Sequence, residues 1–227
     1  LGNVILRKNE YHQTSDIHIS RSMMITLVLS TISLMIPMSL LTQKGYHSLW
    51  VWPILLIAIF FIVNFIITNR QATHPIVHFH TLFSKKPFVG ATMAISSHLT
   101  LLTGIAGINV YIVRILKLPF DISLHFYFFF FVGVIITGIL KMFFYSSVGA
   151  GFLGTLGSSA LLYVSIHWII LGNTINIPLL YIQGLLLGFG ASMTLVSGSM
   201  ATLLDGDLKE AAQRSQTMHT IRNFSAA

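Results

Sequence analysis

Six stretches of this sequence are apolar over 20 residues or more, and this feature restricts the fold more than any other. They run over Met23–Thr42, Leu49–Thr68, Phe88–Val113, Ile122–Phe144, Gly149–Leu171 and Ile177–Leu204. A helix needs roughly 20 apolar residues to cross the ~30 Å hydrocarbon core of a bilayer. Transmembrane strands are shorter and alternate between apolar and polar residues, unlike these continuous runs. The sequence therefore predicts an all-α, polytopic membrane protein with six transmembrane helices.

The low content of charged residues indicates the same class. Of the 227 residues, 54% are hydrophobic and only 8% are charged, whereas soluble domains contain about 25% charged residues. The net charge of +7 could suggest a nucleic-acid partner, but the 13 Lys and Arg are spread along the chain, nearly all outside the apolar runs, and form no patch. We therefore expect the lipid bilayer as a partner and no nucleic acid. The absence of cysteine excludes disulfides, cysteine-bound zinc and a thiol nucleophile.

The basic residues also predict an orientation. Three of the 13, Lys44, Arg114 and Lys117, fall on one side of the predicted spans, and the other ten fall on the opposite side. Loops rich in Lys and Arg stay in the cytoplasm. This places the N-terminal segment and the loops after the second and sixth spans in the cytoplasm. The protein would be multi-pass in the cell (inner or plasma) membrane.

The predicted spans divide the chain into five parts. These are a cytoplasmic lead-in over 1–22, two transmembrane helices over 23–68, a cytoplasmic interfacial segment over 69–87, four further helices over 88–204, and a cytoplasmic loop with the start of a truncated seventh helix over 205–227. The first residue, Leu1, is not a methionine, and Ala227 falls within what reads as the opening of a helix. We therefore expect the sequence to be an internal fragment of a longer protein.

Several short motifs follow one another along the chain in a particular order. They are Gly45-Tyr46 between the first two spans, the Pro75–Phe83 stretch followed by Lys85-Lys86-Pro87-Phe88, Val110-Tyr111-Ile112 at the end of the third span, the glycine-rich Gly184–Gly190, and Ala211–Ser215 followed by Thr220–Asn223. In order and spacing, these motifs resemble the fourteen-helix drug:proton antiporter branch of the major facilitator superfamily. The resemblance extends over nearly the whole chain.

The resemblance implies both a position and an activity. The spans would be helices seven to twelve of such a transporter, with two linker helices over 23–68 and four helices of the C-terminal bundle over 88–204. The N-terminal half would be missing. The parent protein would export small amphipathic molecules in exchange for protons by alternating access, without enzymatic chemistry or a cofactor. One departure is Gly138–Phe143, which has neither the Asp nor the Arg of the Gly-x-Leu-x-Asp-Arg-type loop that the family carries there.

Polar residues within the apolar runs are the candidates for a substrate pathway, because such residues face the bundle interior or a water-filled path. They are His98, Asn109, His125, His167 and Gln183, to which the resemblance adds Tyr111. His98 and Asn109 lie 11 residues apart, close to three helical turns, and so share a face. The alternative is that these side chains form hydrogen bonds between helices. No acidic residue lies inside an apolar run, so we expect the proton-binding carboxylate in the missing half.

The glycines in two of the spans predict close helix packing. Gly149–Gly154 fits the GxGxxG pattern of dinucleotide-binding sites, but it has neither the preceding strand nor the acidic residue about 20 positions later. Small residues let neighbouring transmembrane helices approach each other. We therefore assign helix packing to six glycines, Gly149, Gly151, Gly154, Gly184, Gly188 and Gly190.

Two alternatives from other functional classes stay open. His74, His78 and His80 form an H-x₃-H-x-H cluster that could hold a metal ion in a membrane-bound histidine-metal enzyme. The other seven histidines are scattered and no carboxylate is near, so we expect solvated side chains and no metal site. A second alternative is a self-contained six-helix membrane scaffold.

Overall fold

A computed structural model describes residues 21–44, 47, 49–170, 176–204 and 210–225. These residues form helices and short connections, with no strand among them, and the predicted all-α class is confirmed. In this part of the chain, five helices are long and apolar enough to cross a membrane. The lead-in before Arg21, the Gly45-Tyr46 turn and the loop over 205–209 lie outside the described residues. The chain divides into two compact units, Leu1–Ile76 and Val77–Ala227.

The first unit is a pair of packed helices, α1 (Arg21–Lys44) and α2 (Val51–Gln71). On α2, the buried apolar residues Val51, Ala58 and Phe65 recur every seven residues, so they form one stripe along the helix. The other faces of both helices expose large apolar side chains, as expected for helices in contact with lipid. The two helices correspond to the first two predicted spans.

The second unit contains the remaining helices. They are α3 (Lys85–Asn109), α4 (Phe120–Ile170), α5 (Ile177–Leu204) and α6 (Ala211–Ser225), with a 3₁₀ turn (Phe79–Leu82) before α3 and a π-helical turn (Val110–Ile115) after it. The predicted interfacial segment over 69–87 therefore includes the end of α2 and the beginning of α3.

The α4 helix is broken at Gly149. A straight helix of 51 residues would be about 77 Å long, more than twice the ~30 Å bilayer core. Gly149 has φ 75° and ψ 170°, a backbone conformation that essentially only glycine adopts. The break separates a first arm, residues 120–148, from a second arm, residues 150–170. These arms correspond to the fourth and fifth predicted spans, and the expected loop between them is reduced to the break.

The contacts along α5 show that the two arms run in opposite directions. On the first arm, Phe130 lies against Gly188, and Lys141, further along, donates to the Met193 carbonyl. On the second arm the order is reversed, because Gly157 lies against Met193 whereas Trp168 bonds to Gln183. The first arm is therefore parallel to α5 and the second antiparallel.

Glycines allow α5 to be surrounded by its neighbours. Half of its most apolar stretch is buried, against 17–22% in the other four long helices. A Cβ added to Gly188 would overlap the Phe130 carbonyl of the first arm, and one added to Gly190 would lie 2.8 Å from the Gly157 carbonyl of the second arm. A third contact joins Gly198 to Gly90 of α3, again closer than a Cβ permits. The α5 helix is thus the centre of the unit.

The short helix α6 is fastened to the end of α5 by Arg214. This residue is 2% exposed, and its guanidinium donates to the carbonyls of Thr202 and Leu203 at 3.0 and 3.1 Å. It also lies 3.6 Å from the Glu210 carboxylate. Carbonyls at the end of a helix have no partner within the helix, so a buried arginine satisfies them and complements the helix dipole.

Candidate functional site

The side chains of Gln183, Trp168 and His167 form a hydrogen-bonded cluster near the beginning of α5. We call this end of the second unit the Gln183 end. Gln183 is buried, with 1% of its surface exposed. Its Oε1 accepts a hydrogen bond from the Trp168 indole N–H at 2.7 Å, and its Nε2 lies 2.8 Å from Nδ1 of His167. Two predicted pathway residues, His167 and Gln183, are thus in direct contact.

The three partners fix one another's hydrogen positions. An indole N–H can only donate, so it must face the carboxamide oxygen of Gln183. The carboxamide NH₂ then donates to Nδ1 of His167, so neutral His167 carries its hydrogen on Nε2. A proton added at Nδ1 would replace an acceptor with a donor and break this hydrogen bond. The cluster is therefore sensitive to the state of one imidazole nitrogen.

A small cavity of about 60 Å³ lies beside the cluster. Tyr111, Asn176 and Gln183 are among its lining residues. A space of this size holds a few water molecules, whereas drug-sized ligands occupy roughly 300–1,000 Å³. In this conformation, therefore, Tyr111 and Gln183 border a water-sized space rather than a substrate-sized one.

Asn109 and His125 make contacts of their own at the same end. The Tyr127 hydroxyl donates to Oδ1 of Asn109 at 2.7 Å, which joins the end of α3 to the first arm of α4. Nδ1 of His125 lies 2.8 Å from the Asp121 carbonyl one turn earlier, and the imidazole stacks on Tyr181 of α5. Both residues connect structural elements in this conformation.

His98 lies apart from the Gln183 end. It is near the middle of α3, and the 11 residues that separate it from Asn109 correspond to about 16 Å of helix. Residues on one helix face can therefore lie at very different depths. The structure brings His167, Gln183 and Tyr111 together and leaves His98 separate.

A groove of hydroxyl groups between α3 and the second arm of α4 was not predicted from the sequence. It has a volume of about 320 Å³, and its hydroxyl-bearing residues are Ser96, Ser97, Thr100, Ser158, Ser165 and Thr194. The hydroxyl oxygens of Ser97 and Thr194 lie 2.5 Å apart and join α3 to α5. The residues predicted to line the pathway are His, Asn, Gln and Tyr, and none of these serines and threonines is among them.

The spacing of these residues is a signal that could have revealed the groove. Ser96 and Thr100 are four residues apart, and Ser158 and Ser165 are seven apart, so each pair lies on one face of its helix. Serine and threonine are common in transmembrane helices, however, and periodicity on two separate helices does not show that the two faces meet. Only the packing of α3 beside the second arm brings them together.

A larger cavity continues the groove towards the beginning of α3. Its volume is about 720 Å³, and Lys85, Lys86 and Tyr145 are among its lining residues. Met93 lines both spaces. From Lys85 to Thr100, α3 rises about 22 Å, which is most of the ~30 Å core of a bilayer. We call the groove and this cavity together the seam.

In the described part of the chain, no three His, Cys, Asp or Glu are grouped so that they could hold a metal ion. The rings of His78 and His80 are 6.1 Å apart. The His78 backbone N–H donates to Oγ1 of Thr217 at 2.9 Å, which links the segment before α3 to α6. Burial, and secondarily the charge of His80, lowers the pKa of His78.

Four of the six glycines assigned to packing lie where an added Cβ would meet another helix, namely Gly154, Gly184, Gly188 and Gly190. Gly149 and Gly151 face open space instead. This differs from the prediction, because glycine spacing does not reveal which helix faces have a neighbour. Gly149 provides the break in α4, and Gly151 lines the larger cavity of the seam.

Comparison with known proteins adds no relative. No family model matches the chain, and a search of curated proteins finds no match. The fold defines the chain as an all-α protein with several helices suited to a membrane. The resemblance to drug:proton antiporters rests on the sequence motifs alone.

Proposed function

We propose that the chain is part of a secondary active transporter of the major facilitator type that exports small amphipathic molecules in exchange for protons. In this proposal, α1 and α2 are the linker helices, and α3, the two arms of α4 and α5 are four helices of the C-terminal bundle. The chain then crosses the cell membrane six times, from a cytoplasmic N-terminal segment, and α6 leads into a seventh span. The activity moves solutes between compartments and needs neither a catalytic residue nor a cofactor.

The observation that carries the proposal is the groove of hydroxyl groups. Its walls offer hydroxyl groups from α3 and the second arm, beside apolar side chains such as Leu161 and Leu162. Hydroxyls can donate to or accept from the polar part of a solute, and the apolar wall suits the remainder. A surface of this kind favours uncharged or amphipathic solutes over small ions.

Alternating access requires one helix bundle to move against another as a body. The close glycine contacts of Gly184, Gly188 and Gly190 support such rigidity, because helices packed at backbone distance cannot slide past each other. In the proposal, the N-terminal half of the parent transporter forms the opposite wall of the pathway and supplies the carboxylate that binds the proton.

The proposal is tested by efflux of a lipophilic fluorescent cation, ethidium, from efflux-deficient cells that express the full reading frame. Ser158→Leu fills the groove, and we expect it to reduce efflux to the level of cells without the transporter. Ser159→Leu is the matched control, since Ser159 is the next residue in the chain, is exposed and does not line the groove. Efflux should persist in this control and should stop when a protonophore removes the proton gradient.

Two outcomes would contradict the proposal. If the protein encoded by the complete reading frame moves neither ethidium nor a panel of amphipathic dyes in a proton-dependent way, the self-contained scaffold becomes the better hypothesis. If the purified protein retains stoichiometric iron or zinc that is lost in the combined His74→Ala, His78→Ala and His80→Ala variant, the histidine-metal enzyme is favoured.

A further inference from the structure

The larger cavity of the seam combines a basic mouth with an apolar interior. In the described part of the chain, its charged lining residues are Lys85 and Lys86, at the beginning of α3. Beyond them the lining becomes apolar or small, with Val89, Met93 and Met200 among its members. A space of about 720 Å³ falls within the roughly 300–1,000 Å³ typical of ligand sites.

Two sources of positive charge meet at this mouth. The lysine side chains are the first, and among the described residues that line the cavity there is no carboxylate. The beginning of α3 is the second, because a helix of 25 residues carries about half a positive charge at its N-terminus. Ser84, at the N-cap, makes no side-chain hydrogen bond to the first turn. The mouth therefore favours an anionic group.

The depth of the cavity separates the charged and apolar regions. Met93 is seven residues after Lys86, about 10 Å deeper along α3. On the opposite side the lining is formed by Ala150 and Gly151, just after the break in α4, and by Ala201 near the end of α5. The small size of these three residues leaves the space unfilled. An occupant must therefore have an anionic head and an apolar part about 10 Å long or more.

We infer that this cavity binds an anionic phospholipid of the membrane that α3 crosses, with the phosphate at Lys85 and Lys86 and an acyl chain beside Met93 and Gly151. Lysines at the end of an apolar helix lie at the level of lipid head groups. Basic pockets between transmembrane helices are a recognised type of anionic lipid site. The inference goes beyond the proposed transport activity and requires only that the helices cross a membrane.

Charge removal tests the mouth of the site. The full-length protein is purified in detergent, and binding of phosphatidylglycerol and of phosphatidylcholine is measured by native mass spectrometry. We expect phosphatidylglycerol to bind preferentially, and the Lys85→Gln/Lys86→Gln variant to bind it about 30-fold more weakly. The matched control is Arg114→Gln/Lys117→Gln, which removes two exposed positive charges near the other end of α3 and should retain wild-type binding.

Filling the cavity tests its apolar part independently of charge. A Cβ added at Gly151 meets no atom within 4 Å, so we expect Gly151→Leu to fold and its side chain to occupy the space of the acyl chain. We expect it to lower phosphatidylglycerol binding while both lysines are intact. Gly107→Leu is the control, because Gly107 also has open space but does not line the cavity.

Four results would overturn the inference. These are equal binding of the two lipids, wild-type binding by the lysine variant, wild-type binding by Gly151→Leu, and displacement of phosphatidylglycerol by millimolar inorganic phosphate. The last result would indicate a site for the phosphate group alone. Because binding is measured without transport, a failure here is distinguishable from a failure of the proposed transport function.

Discussion

The carboxamide oxygen of Gln183 accepts a hydrogen bond from the Trp168 indole N–H at 2.7 Å, and this bond joins α5 to the second arm of α4 inside the helix bundle. Gln183 is buried, with 1% of its surface exposed, and removing its carboxamide would leave the indole N–H of the half-buried Trp168 without its acceptor in the protein. The free-energy cost of this unsatisfied donor would lower the stability of the unit.

Replacing Gln183 with leucine should therefore destabilise the protein. Gln183→Leu leaves the Trp168 N–H without its acceptor, and we expect a loss of about 1–3 kcal/mol. Adding Trp168→Phe to this variant removes the unpaired donor as well and should restore part of the loss. The measurement is the free energy of unfolding in mixed micelles. Equal stability of the single Gln183→Leu variant and the wild type would contradict this account.

Gly188 should tolerate no side chain, because an added Cβ would overlap the Phe130 carbonyl. We expect Gly188→Ala to cost about 1–3 kcal/mol, the usual range for overpacking. Gly138→Ala provides the comparison, since a Cβ there meets no atom within 4 Å, and the higher helix propensity of alanine should stabilise it by up to about 1 kcal/mol. Unfolding in mixed micelles measures both, and a stable Gly188→Ala variant would show that the two helices are further apart.

The break in α4 predicts a second difference between neighbouring glycines. Gly149→Ala forces a side chain into the positive-φ conformation and should destabilise by about 1–3 kcal/mol. Gly151→Ala has an ordinary helical backbone and open space, so its stability should be unchanged or slightly higher. The same unfolding assay, run on both variants, measures the difference. Equal stability would mean that the chain turns elsewhere.

Arg214 should control how firmly α6 is attached. Arg214→Gln removes the donors to the carbonyls of Thr202 and Leu203, so we expect faster amide hydrogen exchange throughout α6. Gln213→Ala changes an exposed neighbour on the same helix and should leave the exchange rates as they are. Unchanged exchange in Arg214→Gln would show that the apolar contacts of α6 suffice to hold it.

The lowered pKa of His78 predicts that the protein becomes less stable in acid. Below the ordinary histidine pKa of 6.5, the unfolded chain binds a proton more readily than the folded chain does. Protonation therefore favours unfolding as the pH falls below about 6.5. The midpoint of thermal unfolding should be lower at pH 5.5 than at pH 7.5, and this difference should shrink in His78→Asn. A variant that keeps the full difference would assign the effect to other groups.

The positions of the helices could largely be predicted from the apolar runs in the sequence. The predicted spans fall on the five long apolar helices, with the fourth and fifth spans on the single helix α4, because length and continuous apolarity are local properties of the sequence. The boundaries differ more, since α3 begins three residues earlier than expected and the loop between the fourth and fifth spans is reduced to Gly149. A helix end depends on backbone conformation and on neighbours as well as on hydropathy.

The candidate site was less accessible to prediction. His167 and Gln183 were recognised as polar groups at membrane depth, but their contact with each other depends on the second arm running antiparallel to α5. The hydroxyl groove was missed because Thr100 and Ser158 belong to different helices, and no sequence pattern predicts that these two helices pack side by side.

The sequence by itself determined that the helices are suited to lipid. A chain with 8% charged residues and long apolar runs could not be covered by water on every side. The sequence also determined where the helices are. The tertiary structure alone decided which helix lies at the centre, which glycines touch a backbone and which face a cavity. The physical reason is that apolar helices in lipid gain no hydrophobic energy from choosing one neighbour over another. Their arrangement depends on close packing between surfaces, as at Gly188 and Phe130, and this complementarity exists only once the chain is folded.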